Sequence, residues 1–279
     1  MEDMEEGTVL IDGINLYYET SGSGEPVLLI AGLGDSTAIW HRQTPELSAH
    51  HHLIRLDNRG SGKSDVPAGP YTIQQMASDA VQTLDALGIG WAHIVGTAMG
   101  GMVGQEIAIQ YPDKALSLSL IATQCGGIHA FGASAENADA LEELATTEMD
   151  PQDRARAWVP YMFSPSFIEN YPDLIDEYIQ INALHAPTTD GLRAQWAALM
   201  GYDSWERLPY ITAPSLILQG DHDVLVPVEN ADVLGVRIPE ARIAIIPGAG
   251  HALAFEAAEA VNKLLLDFFA ENSDTETGE

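Results

Sequence analysis

What most limits the folds open to this chain is an alternation of short, unbroken apolar runs with segments of helical spacing. The runs are "PVLLIAG" (26–32), "HHLIRLD" (51–57), "AHIVG" (92–96), "ALSLSLIA" (115–122), "APSLILQG" (213–220) and "ARIAIIPG" (241–248). A strand that is apolar throughout has to be covered on both faces, as in a parallel sheet. Helical patterns fall at 71–89, 98–111, 226–238 and 252–270. In the first, Ile73, Met76, Ala77, Ala80, Val81, Leu84 and Leu87 recur at helical spacing, and Gly88 closes the segment. Such alternation implies right-handed crossovers and a mostly parallel sheet flanked by helices, the α/β class. Upstream, "TVLIDGINLYYET" (8–20) predicts a hairpin turning at Asp12-Gly13, which brings the strands to eight.

Residues 126–206 break the rhythm. "ADALEELAT", "DRARAWVPYMF", "SFIENYPDLIDEYIQINA" and "TDGLRAQWAALM" are helix-like, and no strand stands among them. An insertion after the sixth strand predicts a helical cap over the C-terminal sheet edge. The core then comprises 1–125 and 207–270, and the acidic tail 271–279 is expected to be disordered. Aromatics concentrate in the insertion; most pack it onto the body, while Trp158, Phe163 and Trp196 are candidates for the wall of an apolar pocket.

The chain has 41 acidic and 12 basic residues, a net charge of −29. That field excludes nucleic acid and anionic membrane as natural partners. It fits either adaptation to high salt or an acidic protein with acidic tails. The single cysteine, Cys125, permits no intramolecular disulfide; with a "MEDMEEG" start unlike a signal peptide, it points to the cytoplasm. No apolar run has the roughly 18 residues of a membrane span.

The chemistry centres on "HIVGTAMGGMVGQ" (93–105). Strand, tight turn and helix follow the nucleophile-elbow pattern G-x-S-x-G through Gly96, Thr97 and Gly100, but Ala98 stands where the serine is expected. Through this motif the chain resembles the α/β-hydrolase family over residues 8–270. It is similar in particular to the capped esterase and lactonase branch, including 3-oxoadipate enol-lactonase-like proteins. That branch commonly reads G-x-S-M-G-G, so the departure is one residue. The resemblance implies the α/β-hydrolase fold.

The remaining parts follow by role. "PGAGHALAFE" places His251 in a glycine-rich loop before the last helix, the position of a general base. The family pattern G-x-x-D-x-x-x-P maps onto Gly220, Asp223 and Pro227, making Asp223 the acid and leaving Asp221 as a turn residue. "AGLGDSTAIW" (31–40) resembles the oxyanion loop with Ala31 in place of histidine, so the N–H groups of Leu33 and Met99 are the expected oxyanion donors. Trp40 either borders the acyl pocket or packs in the core. "DNRGSGKS" (57–64) lacks the first glycine of a phosphate loop and resembles a structural family loop. "HHH" (50–52) sends consecutive side chains to opposite faces, which disfavours a metal site. No cofactor or metal is expected; the partner is a small ester or lactone with an apolar portion, bound by a monomer or homodimer.

Three readings of Ala98 compete. A serine-type hydrolase has had its nucleophile replaced; or a natural non-catalytic binder uses the same pocket; or His-Asp chemistry on water, or cofactor-free haloperoxidase or perhydrolase chemistry, operates there. A strained elbow costs about 1–3 kcal/mol and persists only where something maintains it. All its supporting residues remain, so the expectation is an inactivated Ser-His-Asp hydrolase of carboxylic esters or lactones that still binds substrate.

Overall fold

The computed structural model describes residues 4–273. Eight strands form one sheet: β1 (Glu5–Ile11), β2 (Ile14–Ser21), β3 (Pro26–Ile30), β4 (His52–Leu56), β5 (Ala92–Thr97), β6 (Ala115–Ile121), β7 (Ser215–Gly220) and β8 (Arg242–Ile246). Their order is β1-β2-β4-β3-β5-β6-β7-β8. β2 runs antiparallel to β1 and β4, and every other neighbouring pair is parallel. At the hairpin, Asp12 and Gly13 both have positive φ (49° and 85°), the backbone that a two-residue turn between right-twisted strands requires.

The helices are α1 (Thr44–Ser48), α2 (Ile73–Ala86), α3 (Met99–Gln110), α4 (Ala135–Thr146), α5 (Pro151–Met162), α6 (Pro165–Asn170), α7 (Pro172–Leu184), α8 (Thr189–Met200), α9 (Glu229–Arg237), α10 (Leu253–Glu256) and α11 (Ala258–Glu271). The pleat of β3 divides the core between the two faces. Leu28 and Ile30 pack with α2, α3 and α9, whereas Val27 and Leu29 pack with Trp40 and the α11 residues Val261, Leu265, Phe268 and Phe269. Among the described residues no helix is long and apolar enough to cross a membrane.

α4 to α8 all lie between β6 and β7. Four of them start on a side-chain cap: Ser134, Asp150, Ser164 and Thr188 each accept a first-turn N–H. The helix predicted across 166–183 is divided. Pro172 opens α7 and disfavours helical backbone at Tyr171, so α6 ends there. The helix predicted across 252–270 also breaks, at Ala257, into α10 and α11. Three residues of the expected tail are structured: Glu271 ends α11, and the Asn272 and Ser273 side chains donate back to the carbonyls of Phe268 and Phe269. Positions 274–279 lie outside the described residues.

Candidate active site

β5 delivers the chain into α3 through Ala98, whose φ of 48° and ψ of −115° leave it at the tip of a sharp turn. A Cβ on Gly96 would fall 2.1 Å from the Gly100 carbonyl oxygen, and one on Gly100 would fall 2.1 Å from that of Ile30. No side chain fits at either position, which is why the motif needs glycine there. The turn is pinned from β6: Ala98 N–H donates to Ile121 O (2.9 Å), and Thr123 Oγ1 donates to Ala98 O (2.7 Å).

Asp223, just past β7, faces His251, just past β8. Their side chains are buried, and His251 Nδ1–H donates to Asp223 Oδ2 at 2.8 Å. Oδ2 also accepts Gln219 Nε2 (2.9 Å), while Oδ1 accepts the N–H groups of Leu225 (2.8 Å) and Val226 (2.9 Å). Burial works against the imidazolium, but the Asp223 carboxylate and, more weakly, Asp35 outweigh it and hold His251 above the usual histidine range. Asp221 is exposed and accepts the Gly248 N–H at 2.6 Å, a loop-closing role apart from the site.

The loop after β3 is held from two sides. Asn58 Nδ2 donates to Ala31 O (3.1 Å), and Asp57 Oδ1 accepts Thr37 N–H (2.6 Å). Arg59 in turn makes a buried two-point pair with Asp79 on α2 (2.6 and 2.7 Å), fixing the 57–64 loop. From α8, Gln195 Oε1 accepts Gly34 N–H at 2.8 Å, while its Nε2 donates to Arg59 O (2.7 Å) and Ser61 Oγ (2.8 Å). Among the described residues, the N–H groups of Leu33 and Met99 have no acceptor, and both residues line the larger cavity.

Two cavities converge here. The larger, of about 560 Å³, is walled by Leu33, Met99, Trp158, Trp196 and other inserted-helix residues. The smaller, of about 50 Å³, is walled by Ile39, Trp40, His41 and Phe255. Asp35, Ala98, Met162, Tyr178, Asn182 and His251 line both. Trp40 is fully buried in the core and also borders the small cavity. Phe163 is a correction: it lines neither cavity. It packs on Phe167, Tyr178 and Phe255 at centroid distances of 5.4, 4.8 and 5.5 Å, joining the inserted helices to α10.

Asp35 and Gln195 were not among the expected site residues. Asp35 sits inside the quoted "GLGDS" loop, yet only folding shows its carboxyl turned toward Ala98. Gln195 carries no motif signal at all.

Residues 25–258 match the family described as alpha/beta hydrolase fold. A protein of Azorhizobium caulinodans named carbamate hydrolase RutD is 33% identical over 258 residues, spanning 92% of this chain and 96% of that protein. A thermophilic esterase from Thermogutta terrifontis superposes with a TM-score of 0.85 at 28% identity, covering 97% of this chain and all of that one. The enol-lactonase from Burkholderia xenovorans LB400 gives the same score at 27% identity, covering 95% and 100%. With the nucleophile-elbow backbone, the sheet order and the family match in agreement, the chain belongs to the α/β-hydrolase fold family.

Proposed function

We propose that this chain binds a small carboxylic ester, lactone or related acyl compound with its carbonyl carbon above Ala98, in a site laid out for serine-type hydrolysis whose nucleophile position holds a methyl group. The observation that carries this reading is the Ala98 backbone itself. A residue in that conformation costs about 1–3 kcal/mol, and here it is kept beside a buried His251–Asp223 pair. The similar proteins are named for carbamate, ester and lactone chemistry. All three classes present an acyl carbonyl joined to a heteroatom leaving group.

With serine at 98, the geometry supports the following roles. His251 takes the hydroxyl proton, its tautomer set by Asp223, and the serine oxygen attacks the carbonyl. The Leu33 and Met99 N–H groups hold the oxyanion; as it collapses, the bond to the leaving heteroatom breaks and His251 hands that atom the proton, and a water deprotonated by His251 then hydrolyses the acyl-enzyme. α4 to α8 act as a cap, with Trp158 and Trp196 taking the apolar part of the substrate. With alanine at 98 the covalent route is closed while the pocket stays, as loss of a nucleophile alone costs on the order of 10⁶ in turnover.

The test is Ala98→Ser. Hydrolysis of p-nitrophenyl butyrate at least about 10³-fold above the parent chain is expected, with covalent labelling by a fluorophosphonate. A folded Ala98→Ser protein showing neither overturns the reading.

A further inference from the structure

Asp35 stands at the junction of the two cavities, where it shares both walls with Ala98 and His251. A carbon built on Gly32 would lie 2.9 Å from Asp35 Oδ2 and 3.5 Å from the Ala98 methyl, so carboxyl and methyl flank the same small space. Among the described residues no side chain hydrogen-bonds this carboxyl; the ionisable groups facing it are His251 and, from α7, Tyr178. Burial pushes it up to about 7, against the opposing pull of His251 and the Gly32 amide. About half of it therefore carries a proton at neutral pH, the form in which a carboxylic acid can serve as a donor. The small cavity beside Ala98, of about 50 Å³, exceeds the roughly 10–15 Å³ that a water molecule needs.

We propose that Asp35 is the general acid of a slower, non-covalent hydrolysis of the same substrate class, with His251 as the base toward a water molecule above Ala98. This rests on the reading that the site binds an acyl compound there. The water oxygen bonds to the carbonyl carbon as His251 Nε2 takes one of its protons. The tetrahedral intermediate then collapses: the bond to the alcohol oxygen breaks, its electron pair stays on that oxygen, and the Asp35 O–H supplies the proton. Acid and alcohol leave, and the imidazolium proton returns to the Asp35 carboxylate through solvent. Ester and water are the only reactants.

The leaving group provides the test. An alkoxide cannot depart without a proton, whereas p-nitrophenolate can. Ethyl butyrate and p-nitrophenyl butyrate are compared on the chain as it stands and on Asp35→Asn, Asp35→Glu and His251→Ala, with butyrate affinity followed by calorimetry. Asp35→Asn is expected to slow the ethyl ester by about 10²-fold, the scale of general acid catalysis, and the p-nitrophenyl ester by under about threefold. Asp35→Glu should restore part of the ethyl-ester rate, and His251→Ala should abolish both reactions. Equal losses on the two esters would assign Asp35 a structural role and overturn the proposal, as would no loss on either. Butyrate binding without turnover of either ester overturns this inference alone. Absence of butyrate binding overturns the binding reading beneath it.

Discussion

Gln195 and Gly34 lie 161 residues apart in sequence, and one 2.8 Å hydrogen bond joins them at full burial. The same amide holds Arg59 O and Ser61 Oγ, so one side chain on α8 clasps the loops after β3 and β4. Gln195→Leu keeps the volume but leaves the Gly34 N–H and the Arg59 carbonyl unpaired. A loss of about 2–4 kcal/mol is expected, since each buried orphan costs about 1–3. A urea melt reads it; a change under about 0.5 kcal/mol would mean that water replaces the amide.

Gly96 and Gly100 should tolerate no side chain. Gly100→Ala drives a methyl into the Ile30 carbonyl and is expected to cost more than about 4 kcal/mol or to prevent folding. Gly90, where an added methyl would meet nothing within 4 Å, is the control. Gly90→Ala should fall within about 0.5 kcal/mol of the parent. Thermal melts of the two variants settle the comparison.

In the Ala98→Ser protein, kcat/KM for p-nitrophenyl butyrate should rise with pH as His251 loses its proton. Because Asp223 overrides burial and lifts that ionisation, the midpoint is expected above 6.5. Asp223→Asn removes the lift, so the midpoint should drop while the rate falls on the order of 10⁴. A midpoint unmoved by Asp223→Asn would contradict the electrostatic account.

The raised Asp35 ionisation also has a stability consequence. The folded carboxyl keeps its proton to about pH 7, whereas the unfolded one releases it near 3.8. Between those values the folded state holds more protons, so the contribution of this group falls as pH rises and its cost is complete above 7. Asp35→Asn should therefore gain Tm over the parent at pH 8 but not at pH 4. Cavity water screens the charge, so the gain is about 1–2 kcal/mol, or roughly 2–6 °C. Equal melting differences at both pH values would exclude this linkage.

A net charge of −29 sets chain segments against one another at low ionic strength. If the acidic surface is a salt adaptation, Tm should climb steadily from roughly 0.1 to 3 M KCl, over which the Debye length shrinks from about 10 Å to below 3 Å. A flat or falling curve rejects it.

Much of this architecture was legible because its determinants are local. Each apolar run became a strand, and Gly96 is demanded by the Gly100 carbonyl one turn away, although Gly100 itself is demanded by Ile30 on β3. Asp223 and His251 were recognisable because each follows a strand end at a characteristic spacing. Phe163, Asp35 and Gln195 were not, since their surroundings are assembled from distant segments. Phe163 meets Phe255 across 92 residues, and whether an aromatic ring faces a cavity or another ring depends on that packing. The break at Ala257 carries no proline or glycine to announce it.

The turn at residue 98 is shaped by what Gly96 and Gly100 lack and by what Ile121 and Thr123 grip, and its own side chain takes no part in either. Position 98 is in that sense a socket. The backbone presents whatever is mounted there to the same histidine, the same amides and the same two chambers. Serine, cysteine or aspartate could each be fitted without rebuilding the frame, and the reaction performed would change with the fitting.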